Sequence, residues 1–248
     1  WARKEELPGG PIPALPALEK LPPLKENFGI PQNETDIISF MRKSYQAHRL
    51  FPVGDYTNHD WQRLIWGYYR LIERADEFVG KIVDAVYESG QEKNTVIVFL
   101  SDHGDCAGSH HWNQKTVFYD ESARVPFIVS WDGKTSGKTS DVLLNTGTDM
   151  IPTLCDFAGI KNDFCIHGES LYPVIMGEKK ELSREFVVTE NHMVQNEPVD
   201  GDFFQPHGRM VRSNDYKYCL YSEGDKRESL VDMKYDPLEM VNQAENPL

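Results

Sequence analysis

Apolar positions along this chain follow two different periods, and the switch between them divides it. In residues 36–50, Ile37, Ile38, Met41 and Tyr45 fall on one side at helical spacing, which predicts a helix. A longer helix is predicted over residues 60–89. There Leu64, Tyr68, Leu71, Ala75, Phe78, Ile82 and Val86 step at helical intervals, and Gly90 supplies a stop. Residues 95–100 (Thr-Val-Ile-Val-Phe-Leu) then run apolar and largely β-branched without a break, as in a strand buried on both faces of a sheet. A second such strand is expected at 125–130, and another helix at 149–158, closed by Gly159. Beyond about Glu185 the pattern shortens. Residues 186–189, 208–212, 216–221 and 230–232 are strand candidates in succession, a small antiparallel meander.

Helix followed by buried strand predicts an α/β protein: part of a mixed sheet flanked by helices, followed by a small antiparallel sheet subdomain. The start of the chain is different. Residues 1–31 hold seven of the fifteen prolines, Pro8, Pro11, Pro13, Pro16, Pro22, Pro23 and Pro31, which remove backbone donors and restrict their predecessors. The expected organisation is a Pro-rich connector at 1–35, the α/β body at 36–180 and the sheet subdomain at 181–248.

Charge and composition narrow the function classes. With 26 basic and 39 acidic residues the formal net charge is −13, and no basic run offsets it, so neither nucleic acid nor an anionic membrane surface is an expected partner. No apolar run approaches the roughly 18 residues that span a bilayer. The four cysteines (Cys106, Cys155, Cys165, Cys219) lack CxxC spacing and are too few for a disulfide scaffold. Cys155 and Cys165 could pair, buried thiols being the other reading, and the compartment stays open.

Candidate chemistry begins directly after the first buried strand, at Ser101-Asp102-His103-Gly104-Asp105. Ligands of open α/β sheets bind beyond the carboxyl ends of strands, where a carboxylate and an imidazole can ligate a cation or handle protons. An isolated Asp-His pair is equally explained by turn hydrogen bonds and packing. Here, however, Asp102, His103, Asp105, His110 and Lys115 fall within fourteen residues, a mixture costly to bury without partners.

Written out, the segment is DHG-x5-H-x4-K-x5-ES-x-RVP, which resembles the second signature region of the sulfatases, formylglycine-dependent members of the alkaline phosphatase superfamily. The resemblance extends to the helix around Tyr68–Gly80, to Thr148-Asp-Met-Ile-Pro-Thr-Leu, and to Arg209-Met-Val-Arg, Tyr216-Lys-Tyr and Tyr235-Asp-Pro-Leu-Glu-Met240 near the end. It implies an alkaline-phosphatase-like fold. It makes Asp102 and His103 ligands of a divalent cation, Ca2+ with Mg2+ as the alternative. Lys115 would touch the sulfate, and His110 would line the same catalytic pocket. His192, His207 and Arg209 become candidates for binding the rest of the substrate, a sulfated small molecule or glycan. The family's Asp-Asp pair and its C-x-P-x-R or S-x-P-x-R nucleophile motif do not occur in this sequence. The expectation is therefore a C-terminal portion, inactive alone, whose partner is the missing N-terminal half of the same domain. Two rivals stand beside it: a phosphonate or phosphodiester hydrolase of the same superfamily, and a non-catalytic carbohydrate-binding module using Phe203, Phe204, Tyr216, Tyr218 and Tyr221.

Overall fold

The structure, a computed structural model, describes residues 14–47, 53–161, 167–193 and 197–245. Pro8, Pro11 and Pro13, the last residues of the expected 36–50 helix, and Cys165 with its expected pairing lie outside the described residues.

Two helices open the chain. Helix α1 (Asp36–Gln46) buries Ile37, Ile38, Met41 and Tyr45, the stripe its periodicity predicts. Helix α2 (Asn58–Glu88) starts two residues ahead of the sequence expectation because Thr57 and Asp60 form a reciprocal cap. Thr57 Oγ1 accepts from the Asp60 amide while the Asp60 carboxylate accepts from the Thr57 amide. Only Trp61 and Ile65 of this helix are buried. Strand β1 (Val96–Leu100) pairs antiparallel with β2 (Phe127–Trp131), and the connection between them contains the short helix α3 (Asp120–Ala123). Burial of β1 on both faces is not met among the described residues. The ribbon has two strands, and Phe99 and Ile128 stand 37% and 58% exposed.

Helix α4 (Thr146–Ala158) ends at Gly159, whose φ of 65° is the left-handed conformation of a helix terminator. After the one-turn helix α5 (Tyr172–Ile175) comes the meander. It comprises β3 (Val187–His192), β4 (His207–Arg212), β5 (Tyr216–Tyr221) and β6 (Glu228–Asp232), in the order β3-β4-β5-β6. Strand β3 runs three residues past the expected end, to a cross-strand pair of His192 with His207. The inner face of this sheet (Met210, Cys219, Tyr221) closes a core with α1 (Ile37, Ile38, Met41, Tyr45) and the loop between β1 and α3 (Cys106, Trp112, Val117, Phe118). Gly208 has to lack a side chain, since a Cβ there would come within 2.8 Å of the Phe118 and Tyr221 rings. The 106–118 loop is thus held between a helix and a sheet, and it carries most of the candidate chemistry.

Candidate functional site

Beyond β1 the backbone turns through Ser101–Gly104. The Gly104 amide donates to the Ser122 carbonyl at 2.8 Å, and any side chain at Gly104 would collide with the Glu121 carbonyl. This contact explains two pieces of the sequence pattern together, the glycine after Asp-His and the Glu-Ser seventeen residues on. The Asp102 carboxylate accepts the His103 amide at 2.9 Å, and that bond, with the neighbouring imidazole, holds its carboxyl below the usual range. Its side chain is 83% exposed and lies 3.4 Å from His103 Nε2.

His103 Nδ1 lies 2.8 Å from the Gly104 carbonyl, which can only accept, so the geometry suits a proton on Nδ1 and leaves Nε2 facing outward. Lys115 Nζ donates to that Nε2 at 2.7 Å. A backbone carbonyl holding Nδ1–H is the arrangement that prepares an imidazole for a metal. Asp102 and His103 therefore fit a divalent cation as two neighbouring donors. Calcium takes about six to eight oxygen-rich ligands, so they fit as part of a shell.

His110 is placed differently. It is fully buried, its ring stacks on Tyr119 at 3.7 Å, and its Nε2 faces Asn27 at 3.1 Å and Glu121 at 3.2 Å. The structure brings Asp102, His103 and Lys115 together and turns His110 toward a separate set of partners. The loop that carries it is strained, with φ of 46° at Ala107, 54° at His110 and 55° at His111. Two groups hold it there: the His110 amide donates to the Asn27 carbonyl at 2.9 Å, and the buried Arg42 guanidinium grips the His110 carbonyl and Glu34.

Among the described residues, His110, Glu121 and Glu239 form a group close enough to share a metal ion. Their partners argue for a hydrogen-bonded node instead. Burial alone would raise the Glu121 carboxyl, but the bond and charge of His110, with the Asn27 amide, outweigh it and bring it to about 2. Glu239 already accepts Lys217 Nζ at 2.7 Å and the Asp120 amide at 2.6 Å. A second cation would have to compete with that ammonium.

The remaining candidates lie on the other face of the meander. His192, His207 and Arg209 alternate with the inward-facing Asn191, Gly208 and Met210 and are solvent-exposed. The two imidazoles stack at 5.5 Å, and Arg209 pairs with Glu190 at 2.6 Å. The five aromatics considered as a sugar platform do not share a face. Tyr221 is buried in the core, Tyr216 and Tyr218 point outward, and Phe204 packs edge-on against Phe40 at 4.9 Å.

Glu34 and Arg42 have no signal in the sequence, since single polar residues carry no period, and nothing around Asn27 shows that it meets His110. Glu121, Lys217 and Glu239 sit inside recognisable segments, but nothing in those segments shows that they meet.

The family model described as Sulfatase matches residues 16–160, and the model described as N-sulphoglucosamine sulphohydrolase, C-terminal, matches residues 108–248. The chain is 34% identical over 242 residues to a Delta 4,5-hexuronate-2-O-sulfatase of Bacteroides thetaiotaomicron, covering 96% of this chain and 47% of that protein. It is 30% identical to an N-acetylglucosamine-6-O-sulfatase of the same organism, covering 73% of this chain and 32% of the relative. The chain thus spans about half the length, or less, of these curated relatives. The solved structure of a 2-O GAG sulfatase superposes with a TM-score of 0.80 at 30% identity, over 98% of this chain and 51% of that one. The fold is accordingly the α/β, alkaline-phosphatase-like fold of these neighbours. Because the first of these family models covers more than half of the 248 residues and includes the loop bearing Asp102, His103 and Lys115, the chain belongs to the sulfatase family.

Proposed function

We propose that this chain contributes the cation- and sulfate-holding side of an enzyme that hydrolyses a sulfate ester on a carbohydrate. The carrying observation is the Asp102–His103–Lys115 cluster, a carboxylate, an imidazole held by a backbone carbonyl and an ammonium converging beyond β1. Asp102 and His103 would hold a divalent cation, calcium in the first instance. When bound, such a cation offsets the negative charge of a sulfate and of its transition state. Lys115 is the residue we assign to the sulfate oxygens, as a positive charge aimed at developing negative charge. In this chain its ammonium is spent on His103 Nε2, so engaging His103 with a cation releases Lys115 for an anionic ester.

His110 does not touch substrate in this reading. A fully buried ring whose Nε2 faces Asn27 and Glu121 supports the loop from beneath. His192, His207 and Arg209, on the outer face of the sheet, are assigned to sugar units farther from the sulfate. The domain organisation we propose keeps 36–180 as part of the catalytic α/β body and 181–248 as the sheet subdomain, with 1–35 leading in. The nucleophile is assigned to protein outside this sequence, which has neither the Asp-Asp pair nor the formylglycine motif. The uncovered apolar face of α2, where Ile82 is 64% exposed, supports a larger body around this one.

The test uses the full-length protein containing this chain and a panel of sulfated disaccharides, including 2-O-sulfated hexuronate and 6-O-sulfated glucosamine units, beside 4-nitrophenyl phosphonate. Sulfate release that is abolished by chelation, restored by Ca2+, and lowered about a hundred- to a thousandfold in Lys115→Ala is expected, with no turnover by the 248-residue chain alone. Preferential hydrolysis of the phosphonate ester would move the reading to the phosphonate hydrolases, one of which shares the fold with a TM-score of 0.65.

A further inference from the structure

The backbone immediately after Lys115 is unusual. Thr116 has a φ of 80°, a conformation that a β-branched residue adopts only when its surroundings impose it. Three contacts do so. The Thr116 hydroxyl meets the buried Tyr45 hydroxyl of α1 at 3.0 Å. Trp112 Nε1 donates to the Lys115 carbonyl at 3.3 Å. The third comes from a different part of the chain, where the side-chain amide of Asn191, on the inner face of β3, donates to the Thr116 carbonyl at 2.6 Å across 75 residues. Tyr45 and Trp112 also pack in the core, and their ring centroids lie 5.5 Å apart. Asn191 is half-buried, and its contribution here is the amide donor.

We infer that Asn191 is a positioning residue for Lys115: by holding the Thr116 carbonyl it keeps the left-handed turn that aims the lysine ammonium at His103 and at the sulfate. The inference rests on the sulfate-binding role proposed for Lys115. It also gives the sheet subdomain a part in the chemistry, because β3 reaches the loop through this side chain. Removing the donor lets Thr116 relax toward ordinary backbone angles and swings Lys115, which stands next to it. Displacement of a binding group by about an ångström is enough to cost about a hundredfold in rate.

The experiment compares the full-length protein with Asn191→Ala, Asn191→Asp, Lys115→Ala and the double variant K115A/N191A. Turnover is measured on whichever disaccharide of the panel the wild type hydrolyses fastest, with inhibition by inorganic sulfate in parallel. Asn191→Asp keeps the shape and removes the donor, so it serves even where the alanine variant folds poorly. Expected is a loss of about ten- to a hundredfold in kcat/KM for both Asn191 variants, with sulfate inhibition weakened in proportion. Expected too is a double variant no slower than Lys115→Ala alone, since a residue acting only through Lys115 has nothing left to position. Wild-type rates in Asn191→Asp, or losses that multiply in the double variant, overturn the role of Asn191 and leave the sulfatase reading standing. A wild type that releases sulfate from no disaccharide of the panel overturns the reading and the inference together.

Discussion

Two regions of this molecule are finished to different degrees. The C-terminal sheet, α1 and the 102–124 loop form a packed unit whose buried polar groups are largely partnered. Lys217, 1% exposed, donates to the Phe118 carbonyl, Glu239 and Asp120, and Asn242 joins residues 33, 228 and 230. The region of α2, β1 and β2 is the reverse. Past Ile65 the long helix leaves Leu71, Ile72, Phe78, Ile82 and Tyr87 exposed, and the two-stranded ribbon offers Phe99 and Ile128 to solvent. Both regions have helical or strand periodicity of good quality. Periodicity says that an apolar face exists; only packing says whether the same chain covers it.

If the packed unit is self-sufficient, its stability should hinge on internal charge pairing. Lys217→Met gives the largest expected effect. Burial alone would lower the Lys217 pKa, but Glu239 and Asp120 outweigh it and raise it, so the ammonium stays charged inside the protein. Removing it strands the Glu239 carboxylate, 4% exposed, without its cation. Such a loss costs about 3–5 kcal/mol. Chemical denaturation of the 248-residue chain checks this. A change below about 1 kcal/mol would mean that water reaches the cluster and that the two regions differ less than they look.

A second, smaller effect follows from pH. The Glu121 carboxyl falls from 4.5 to about 2 on folding, because the His110 and Asn27 contacts outweigh its burial. A group whose pKa is lowered in the folded state stabilises above its unfolded value and loses that contribution as pH falls through the folded one. The packed unit is therefore expected to lose stability between about pH 4.5 and pH 2. Glu121→Gln should flatten that part of the curve, and denaturation midpoints followed by Trp fluorescence across this range report it. An unchanged slope in the variant would assign the acid sensitivity to another carboxylate.

The same contrast explains what could be read in advance. Helices α1, α2 and α4 and the six strands among the described residues lie at or near the segments that the local apolar pattern marks out, because that pattern is written locally. That Asp102, His103 and Lys115 lie together was legible because all three sit on one loop whose motif resembles a sulfatase signature. His110 was equally visible, but its partner set was not. Asn27 stands 83 residues away in an irregular segment, and an asparagine there carries no sign of the imidazole it meets. Asn191 was hidden for the same reason, and its strand continued past the point where apolar alternation gave out. Exposure of the α2 stripe was the opposite case. The pattern predicts a buried face, and apolar spacing alone does not say whether the same chain covers it.

The smallest effect is the one that tests that last point. Ile82 is 64% exposed and Phe78 40% exposed on the outer stripe of α2. Replacing either with Glu in the 248-residue chain removes little packing and should change the unfolding free energy by no more than about 0.5 kcal/mol, as at ordinary surface sites. In the full-length protein the same substitutions are expected to cost about 1.5–3 kcal/mol, the value of burying one large apolar side chain. They should also lower the yield of folded protein. Equal, negligible effects in both contexts would leave the stripe a solvent face in the whole protein as well. The proposal that a larger body packs against α2 would then fall, while the Lys115 site beyond β1 would keep its own evidence.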